Sequence, residues 1–432
     1  MLRALTIDFN SFFASVEQQE RPELRGKPLG IVPVMAETTG CIAVSLEAKQ
    51  LGLTRNARVS DARRQCPGII FVEARPETYI AYHRRLVDVI ERCLHVDKVQ
   101  SIDEVTCFLK GRFAERDRAL AVAREIKATI AREVGPLLRS SIGIAPNWLL
   151  AKVASDMQKP DGLVVLDEPD LPGKLLHLQP GDISGIGPNM QERLRARGIT
   201  TIAQLYAATE AELRGIWQSV RGAQMWQLLH GHDLPFFTEV GGQTIGHGHV
   251  LPPDKRNPVA ALAVLHRLLQ KAAMRLRADR LYAGSLSLSV RYPDDSRWGD
   301  ELNFNDTQDT FALTHALNTL WARRPAKLRH RGPLKVDVHL SRLISAEAHT
   351  PDLFEAPQEK RREKLHAAID DLNKVFGKGS VYLGGAHGAT GNAPMRIAFT
   401  RIPVPELEEI DRSRARRVRP VKKSTPPPPD AE

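Results

Sequence analysis

Val99-Gln100-Ser101-Ile102-Asp103-Glu104-Val105-Thr106-Cys107-Phe108-Leu109 sets two adjacent carboxylates between apolar flanks. Val105, Cys107 and Leu109 alternate with Thr106, Phe108 and Lys110, a period of two that predicts a strand. Near the N-terminus, Ala4-Leu5-Thr6-Ile7-Asp8-Phe9 is a second short apolar run that predicts a strand and carries one Asp. A carboxylate within an apolar strand is unfavourable unless its charge is compensated. Three of them on two strands point to a shared cation, and oxygen-only ligands select a hard ion such as Mg²⁺. The competing reading from spacing alone is two unrelated surface turns that carry acids.

The chain has 432 residues, room for roughly two to four domains with buried cores. Hydrophobic residues make up 42% and charged residues 26%, as in ordinary globular proteins. No apolar run approaches the ~18 residues that a membrane-crossing helix needs. The N-terminus enters a strand pattern directly, so no secretory signal is expected. Cys41, Cys66, Cys93 and Cys107 form no C-x-x-C pair. That argues against a zinc site or a disulfide framework and predicts a cytoplasmic protein. The net charge is +10, and it is unevenly spread: residues 241–402 carry 24 Lys/Arg against 16 Asp/Glu, while the first 240 carry 30 against 29. A polyanionic partner gripped by the second half, away from the carboxylates, fits that distribution.

In chain order, strand 1–10 is followed by Asn10-Ser11-Phe12-Phe13, a helix start that Asn10 or Ser11 would cap. Residues 11–76 read as a small α/β insertion, with strands near 29–34 and 42–44 and a helix that stops at Gly52. Helices over 79–94 and 114–134 flank the Asp103-Glu104 strand, and a strand over 140–145 and a helix over 147–157 follow. This order predicts an antiparallel or mixed sheet backed by helices. Ile183-Ser184-Gly185-Ile186-Gly187-Pro188, with the helix after it, reads as helix-hairpin-helix, whose glycines let the backbone approach a phosphate. An ordinary helix–helix turn is the plainer alternative. After the glycine-rich Val240-Gly241-Gly242-Gln243 come strands over 244–250, 283–292, 334–340 and 395–400 and helices over 257–279, 310–322 and 360–376, a separate α+β domain. Arg267, Lys271, Arg275, Arg277 and Arg280 decorate its first helix. They read as a phosphate-binding face or, more plainly, a solvated one. Gly246-His247-Gly248-His249 lacks a third metal ligand. The basic, proline-rich tail over 403–432 is expected to be disordered.

Taken together, these segments resemble the Y-family translesion DNA polymerases of the UmuC/DinB group. The resemblance rests on residues 8–17 (DFNSFFASVE), Ser101-Ile102-Asp103-Glu104, residues 152–162 (KVASDMQKPDG), Gly185-Ile186-Gly187 and Pro394-Met395-Arg396-Ile397, and spans essentially 1–402. It implies an α/β and α+β multidomain right hand: palm over 1–10 and 77–167, fingers over 11–76, thumb with helix-hairpin-helix over 168–237, linker over 238–245 and a DNA-gripping little finger over 246–402. It also implies an enzyme of DNA repair and the SOS response. Two Mg²⁺ ions are implied, with Asp8 and Asp103 bridging them, Glu104 holding the ion that activates the primer 3′-oxygen, and the Phe9 carbonyl helping to hold the ion on the triphosphate.

Phe13 matches the steric gate that excludes a ribose 2′-hydroxyl, and Lys159 the lysine on the triphosphate. Many DinB-type members have Tyr and Arg where this chain has Leu46 and Lys49, whereas UmuC-type members have Lys. Lysine is a point charge without a bidentate fork, and Ser45 is a further candidate donor to the nucleotide. Lys271, Arg275, Gly185 and Gly187 are the expected DNA contacts. Thr350-Pro351-Asp352-Leu353-Phe354 loosely resembles a sliding-clamp peptide with Thr in place of Gln, so Leu353 and Phe354 are candidate partner contacts, or else a hydrophobic anchor for a loop. The expected partners are primer-template DNA and dNTPs, with a sliding clamp and accessory polymerase subunits as candidates and no membrane. Two other readings compete: an ImuB-like accessory protein, which the intact acidic triad argues against, and a metal-dependent nuclease or cyclase on a palm-like sheet, which the order of the later segments argues against.

Overall fold

A computed structural model describes residues 1–237, 244–350, 356–377, 379–389 and 402. The chain divides into two compact units, one over Met1–Gly242 and one that begins at Gln243 and runs to Arg396. The predicted strand over 395–400, most of the linker, the tail, and Leu353 and Phe354 lie outside the described residues.

The first unit is built on a five-stranded sheet. β1 (Ala4–Phe9) is buried along its whole length. It runs antiparallel between β6 (Glu104–Phe108) and β7 (Ser140–Ala145), with β5 (Lys98–Ser101) and β8 (Leu163–Val165) at the edges. Burial on both faces explains why β1 reads as a continuous apolar run. Helices α4 (Pro76–Cys93) and α5 (Arg116–Glu133) pack on each other, and α6 (Trp148–Met157) lies on β7 and β1. Asn147 starts α6 by accepting the Leu150 N–H at 3.0 Å, a side-chain cap. A Cβ at Gly143 would meet the Ala151 carbonyl oxygen at 2.0 Å, so only glycine lets α6 seat this closely on β7.

Between β1 and α4 lie α1 (Phe12–Glu20), β2 (Leu29–Val32), β3 (Ala43–Val44), α2 (Leu46–Gln50), α3 (Val59–Gln65) and β4 (Ile70–Glu73). The three strands form a sheet of order β3-β2-β4, and Val32, Val44, Ala48, Leu53, Val59 and Ala62 make a core of their own. The cap expected for α1 differs: Ser11 stands at the N-cap in the left-handed region (φ 50°) and makes no capping bond.

Four helices follow: α7 (Pro188–Arg195), α8 (Ile202–Ala207), α9 (Glu210–Trp217) and α10 (Val220–Leu229). Thr201 with Gln204 and Thr209 with Glu212 form capping boxes, a pattern visible in the sequence. The segment before Gly185 is a 3₁₀ turn over Pro180–Asp182, not the α-helix that a helix-hairpin-helix reading implies. Leu194, Leu205, Leu213, Met225 and Leu228 share one cluster with Leu149, Leu150 and Val153 of α6. Asn147 also donates to the Leu228 and His232 carbonyls at 2.8 and 2.9 Å. This helical segment therefore has no core separate from the palm-like sheet's own helix.

The second unit runs β9 (Thr244–Val250), α11 (Pro258–Ala278), β10 (Leu281–Arg291), β11 (Arg297–Thr307), α12 (Thr310–Ala322), α13 (Ala326–Arg329), β12 (Lys335–Ser345) and α14 (Ala356–Phe376). Its antiparallel sheet has the order β11-β10-β12-β9, and its core joins Leu286, Leu288, Val290, Val336, Val338 and Leu340 to α11 and α12. β9 begins inside the expected linker, and β11 was not anticipated. Only Trp298, Leu302 and Phe304 of β11 pack on the core, so its sequence reads as a polar loop.

The basic face expected on α11 is not a free surface. Arg267 and Lys271 are 4% and 5% exposed, Arg275 lies 3.5 Å from His247 Nε2, and Arg277 pairs with Asp370 of α14. The helix is apolar around most of its circumference and covered on both sides, which encloses Arg267 and Lys271 with it, while Arg275 and Arg277 are partly exposed and Arg280 is exposed. Lys271 is thus held inside the unit, while Arg275 lies against His247 and stays partly exposed. The side of the sheet away from the core is instead polar and small, in rows set by the register: Asn303-Ser285-Ser341-Thr244, Glu301-Ser287-His339-Gly246, Gly299-Ser289-Asp337-Gly248 and Arg297-Arg291-Lys335-Val250. Among the described residues no helix is long and apolar enough to cross a membrane.

Candidate active site

Strands β5 and β6 form a hairpin in which Ser101 pairs with Glu104. Ile102 and Asp103 are thus its two-residue turn, so Asp103 stands at the tip of the hairpin rather than within a strand. Ile102 is buried, and its carbonyl contacts His83 Nδ1 at 2.8 Å. The Phe9 N–H donates to the Asp103 carbonyl at 2.8 Å, which holds the turn against the end of β1. One residue back, Asp8 is the direct cross-strand partner of Glu104.

Like charges directly opposite each other destabilise an antiparallel pair. Lysine supplies the compensation. Lys152 of α6 places Nζ 2.6 Å from Asp8 Oδ2, 3.1 Å from Glu104 Oε2 and 3.2 Å from Asp156 Oδ1. Lys159, just past the helix, reaches Asp8 Oδ1 at 2.8 Å and Asp156 Oδ1 at 2.7 Å. Asn10 accepts the Asp161 N–H at 2.7 Å and donates to Ser141 Oγ at 3.1 Å, so the loop that carries Lys159 is fastened to the end of β1. Lys152 and Asp156 lie inside the motifs of the sequence with no role expected of them, and Asn10, expected as a helix cap, instead fastens this loop. Pairing at i, i+4 on α6 was the one signal for the first two.

Burial, with the Asp8 charge adding to it and Lys152 opposing, pushes the Glu104 carboxyl up to about 7. Burial and the Asp8 charge also raise Asp103, against the hydrogen bond from Ser101. Against the cost of its burial, Asp8, Glu104 and Asp156 hold the Lys152 ammonium well above the usual lysine value. Desolvation and the neighbouring Lys159 ammonium lower Lys49, while Asp8 and Asp103 pull it back. The α2 lysine therefore shares the electrostatic environment of the carboxylates.

Among the described residues no three His, Cys, Asp or Glu side chains converge as a ready-made metal site. The Lys152 ammonium stands between Asp8 and Glu104, and the Asp103 carboxylate accepts from Ser101 Oγ. The donor set nonetheless suits a hard divalent ion: every donor is an oxygen, and two of them face each other across a ladder with a cation between them.

The remaining expected residues divide. Phe13 is 3% exposed, and its ring stacks on Tyr79 with centroids 4.4 Å apart and planes 16° from parallel. Phe9 is buried against Phe12, ring centroids 6.1 Å apart. Ser45 is fully buried, and its hydroxyl is engaged by structure. It accepts from the Ala48 and Leu29 N–H groups at 3.2 and 3.0 Å and donates to the Lys27 carbonyl at 3.3 Å. As the cap of α2 it is not available to a nucleotide. Gly185 adopts φ 94°, and a side chain at Gly187 would meet nothing within 4 Å, so the backbone there is open to approach.

A family model described as the impB/mucB/samB family matches residues 7–156, and one described as the C-terminal domain of that family matches 243–353. A protein named DNA polymerase IV from Moorella thermoacetica is 33% identical over 386 residues, covering 87% of this chain and 93% of its own length. DNA polymerase IV 1 of Bacillus subtilis is 30% identical over 382 residues, covering 86% and 90%. Among solved structures, a "Y-family DNA polymerase chimera Dbh-Dpo4(243-245)-Dbh" superposes with a TM-score of 0.66 at 23% identity, covering 80% of this chain and all of that one. At that identity the likeness concerns the fold.

Proposed function

The chain belongs to the impB/mucB/samB family, the UmuC/DinB group of Y-family DNA polymerases, and is a DNA-directed DNA polymerase; we propose that it carries out low-fidelity, template-directed synthesis past damaged bases in DNA repair, in the cytoplasm. The observation that carries this reading is Asp8 opposite Glu104 with Asp103 on the adjoining turn, ringed by Lys49, Lys152 and Lys159. The reaction is an in-line displacement at the α-phosphorus of a dNTP by the primer 3′-oxygen. Two Mg²⁺ ions held by Asp8, Asp103, Glu104 and the Phe9 carbonyl would activate the attacking oxygen and stabilise the leaving one.

The protein's own groups do the rest. Lys49 and Lys159 carry positive charge to the triphosphate, each as a point charge rather than a planar fork. Lys152 compensates the carboxylates. The Phe13 ring, held on Tyr79, lies under the sugar and excludes a 2′-hydroxyl. In the second unit, the polar sheet face replaces α11 as the DNA surface. Its polar side chains, Ser287, Ser289, Asn303 and His339, offer hydrogen-bonding groups to the phosphate backbone, and Arg297, with Arg291 and Lys335 beside their Asp295 and Asp337 partners, supplies charge. The Gly185–Gly187 turn is a second backbone contact. Leu353-Phe354 remains a candidate anchor for a sliding clamp, and accessory subunits remain candidate partners. The test is primer extension on undamaged and abasic templates with Mg²⁺ and four dNTPs. Extension past the abasic site supports the reading, and a full stop at it on every template sequence removes the translesion role.

A further inference from the structure

Behind Phe13 lies a charged network that the chemistry above does not use. Glu17, one helical turn after Phe13 on α1, has no exposed side-chain surface. Arg75 donates to it through Nε at 2.9 Å and Nη2 at 2.7 Å, Arg21 pairs with it, and the Tyr79 hydroxyl donates to it at 2.8 Å. Tyr79 is itself fully buried, and its ring is the surface on which Phe13 stacks. A second phenol on α4, Tyr82, donates to Glu20 at 2.6 Å.

We propose that Glu17, acting through the Tyr79 hydroxyl, is a positioning residue that fixes the Phe13 ring and so sets how strictly the sugar of the incoming nucleotide is selected. The proposal rests on the reading of Phe13 as the residue beneath that sugar.

Residues four apart on a helix share a face, so Phe13 and Glu17 both turn toward α4. A fully buried carboxylate is costly, and apolar side chains of the same volume hold two helices together as well as an ion pair does. What the charged network adds is direction. The phenol donates to one acceptor, that acceptor is held by two guanidiniums, and the hydroxyl end of the tyrosine ring is thereby pinned beneath the Phe13 ring stacked on its face. Burial and the Glu17 charge both raise the Tyr79 phenol well above its usual range, so it remains a donor. A stacked ring with a fixed partner cannot tilt away from a 2′-hydroxyl, and exclusion by shape weakens when the excluding group can move.

The test compares wild type, Tyr79→Phe, Glu17→Gln, Phe13→Ala and the double variant Phe13→Ala/Tyr79→Phe. It measures catalytic efficiency for dCTP and CTP opposite template G in the full chain, with thermal melting of each protein. Phe13→Ala should lower the dCTP:CTP ratio by about 100-fold, and Tyr79→Phe and Glu17→Gln by about 3- to 10-fold, mostly through a rise in CTP insertion. Tyr79→Phe keeps the stacked ring and guards against a Glu17→Gln variant that does not fold. Adding Tyr79→Phe to Phe13→Ala should move the ratio no further, because both act through one ring. If Phe13→Ala collapses the ratio while both network variants keep it, or lose dCTP and CTP insertion in equal proportion, the network is packing alone and the proposal fails, with the Phe13 reading intact. If Phe13→Ala leaves the ratio unchanged, the Phe13 reading fails and the proposal with it.

Discussion

Replacing Lys152 with Met removes the cation on which the acidic site depends when no divalent ion is bound. Its Nζ lies 2.6 Å from Asp8, 3.1 Å from Glu104 and 3.2 Å from Asp156, and the side chain is 14% exposed. Two unit charges about 4 Å apart attract by ~4 kcal/mol at an effective dielectric of about 20, and taking one partner from a buried pair costs about 3–5 kcal/mol. Lys159 still reaches Asp8 at 2.8 Å and offsets part of the loss. We therefore expect a deficit of about 3 kcal/mol in EDTA at about pH 8.5, or a fall in Tm of ~6–12 °C.

The sign of the pH dependence follows from Glu104. Its folded pKa of about 7 lies above its ordinary 4.5. Its favourable contribution is thus complete below pH 4.5 and is lost as pH rises through 7. Without Lys152 that carboxyl is raised further, so the deficit should be smaller near pH 5.5, where only the Asp8 and Asp156 pairings are lost, and largest above pH 7. Millimolar Mg²⁺ should restore part of it at high pH, because an ion that binds only the folded site stabilises it. The assay is urea and thermal melting of both proteins in EDTA and in Mg²⁺ across this pH range. A deficit that is equal at both ends of the range, or below about 1 kcal/mol throughout, would refute the electrostatic reasoning.

Asp103→Ala should abolish nucleotide addition while primer-template binding persists, checked by extension and by fluorescence anisotropy; near wild-type extension would remove Asp103 from the metal site. Phe13→Ala should admit ribonucleotides while retaining deoxynucleotide insertion, as single-nucleotide kinetics will report. Residues 241–402 alone should bind primer-template with an affinity that falls steeply with salt, and Arg291→Ser/Arg297→Ser should weaken that binding where Lys271→Met does not. Equal losses from both substitutions would return the DNA surface to α11.

The acids were legible because a carboxylate on an apolar strand has few explanations, and β1, β7, α6 and α12 were legible because their apolar periods match their burial. What escaped depends on contacts distant in sequence. The turn position of Asp103 is set by the Ser101–Glu104 pairing, which no local pattern specifies. Lys152 looks like any helix lysine until α6 is laid on β1. Ser45 looks like a free donor until the cap of α2 and the Leu29 N–H claim its hydroxyl. The α11 cations read as a surface run because their sequence spacing does not reveal that the helix is covered on two sides. The DNA face proposed in its place was present as the Ser285-Leu286-Ser287-Leu288-Ser289 alternation, which indicates a half-polar sheet but not its partner.

The most direct test of the central claim is single-nucleotide insertion by the full-length chain, with each dNTP supplied separately opposite each of the four template bases, in Mg²⁺ and in EDTA. The account predicts Mg²⁺-dependent insertion in which the complementary dNTP is preferred opposite every base. Insertion indifferent to the template base, or shortening of the primer in place of extension, would contradict it.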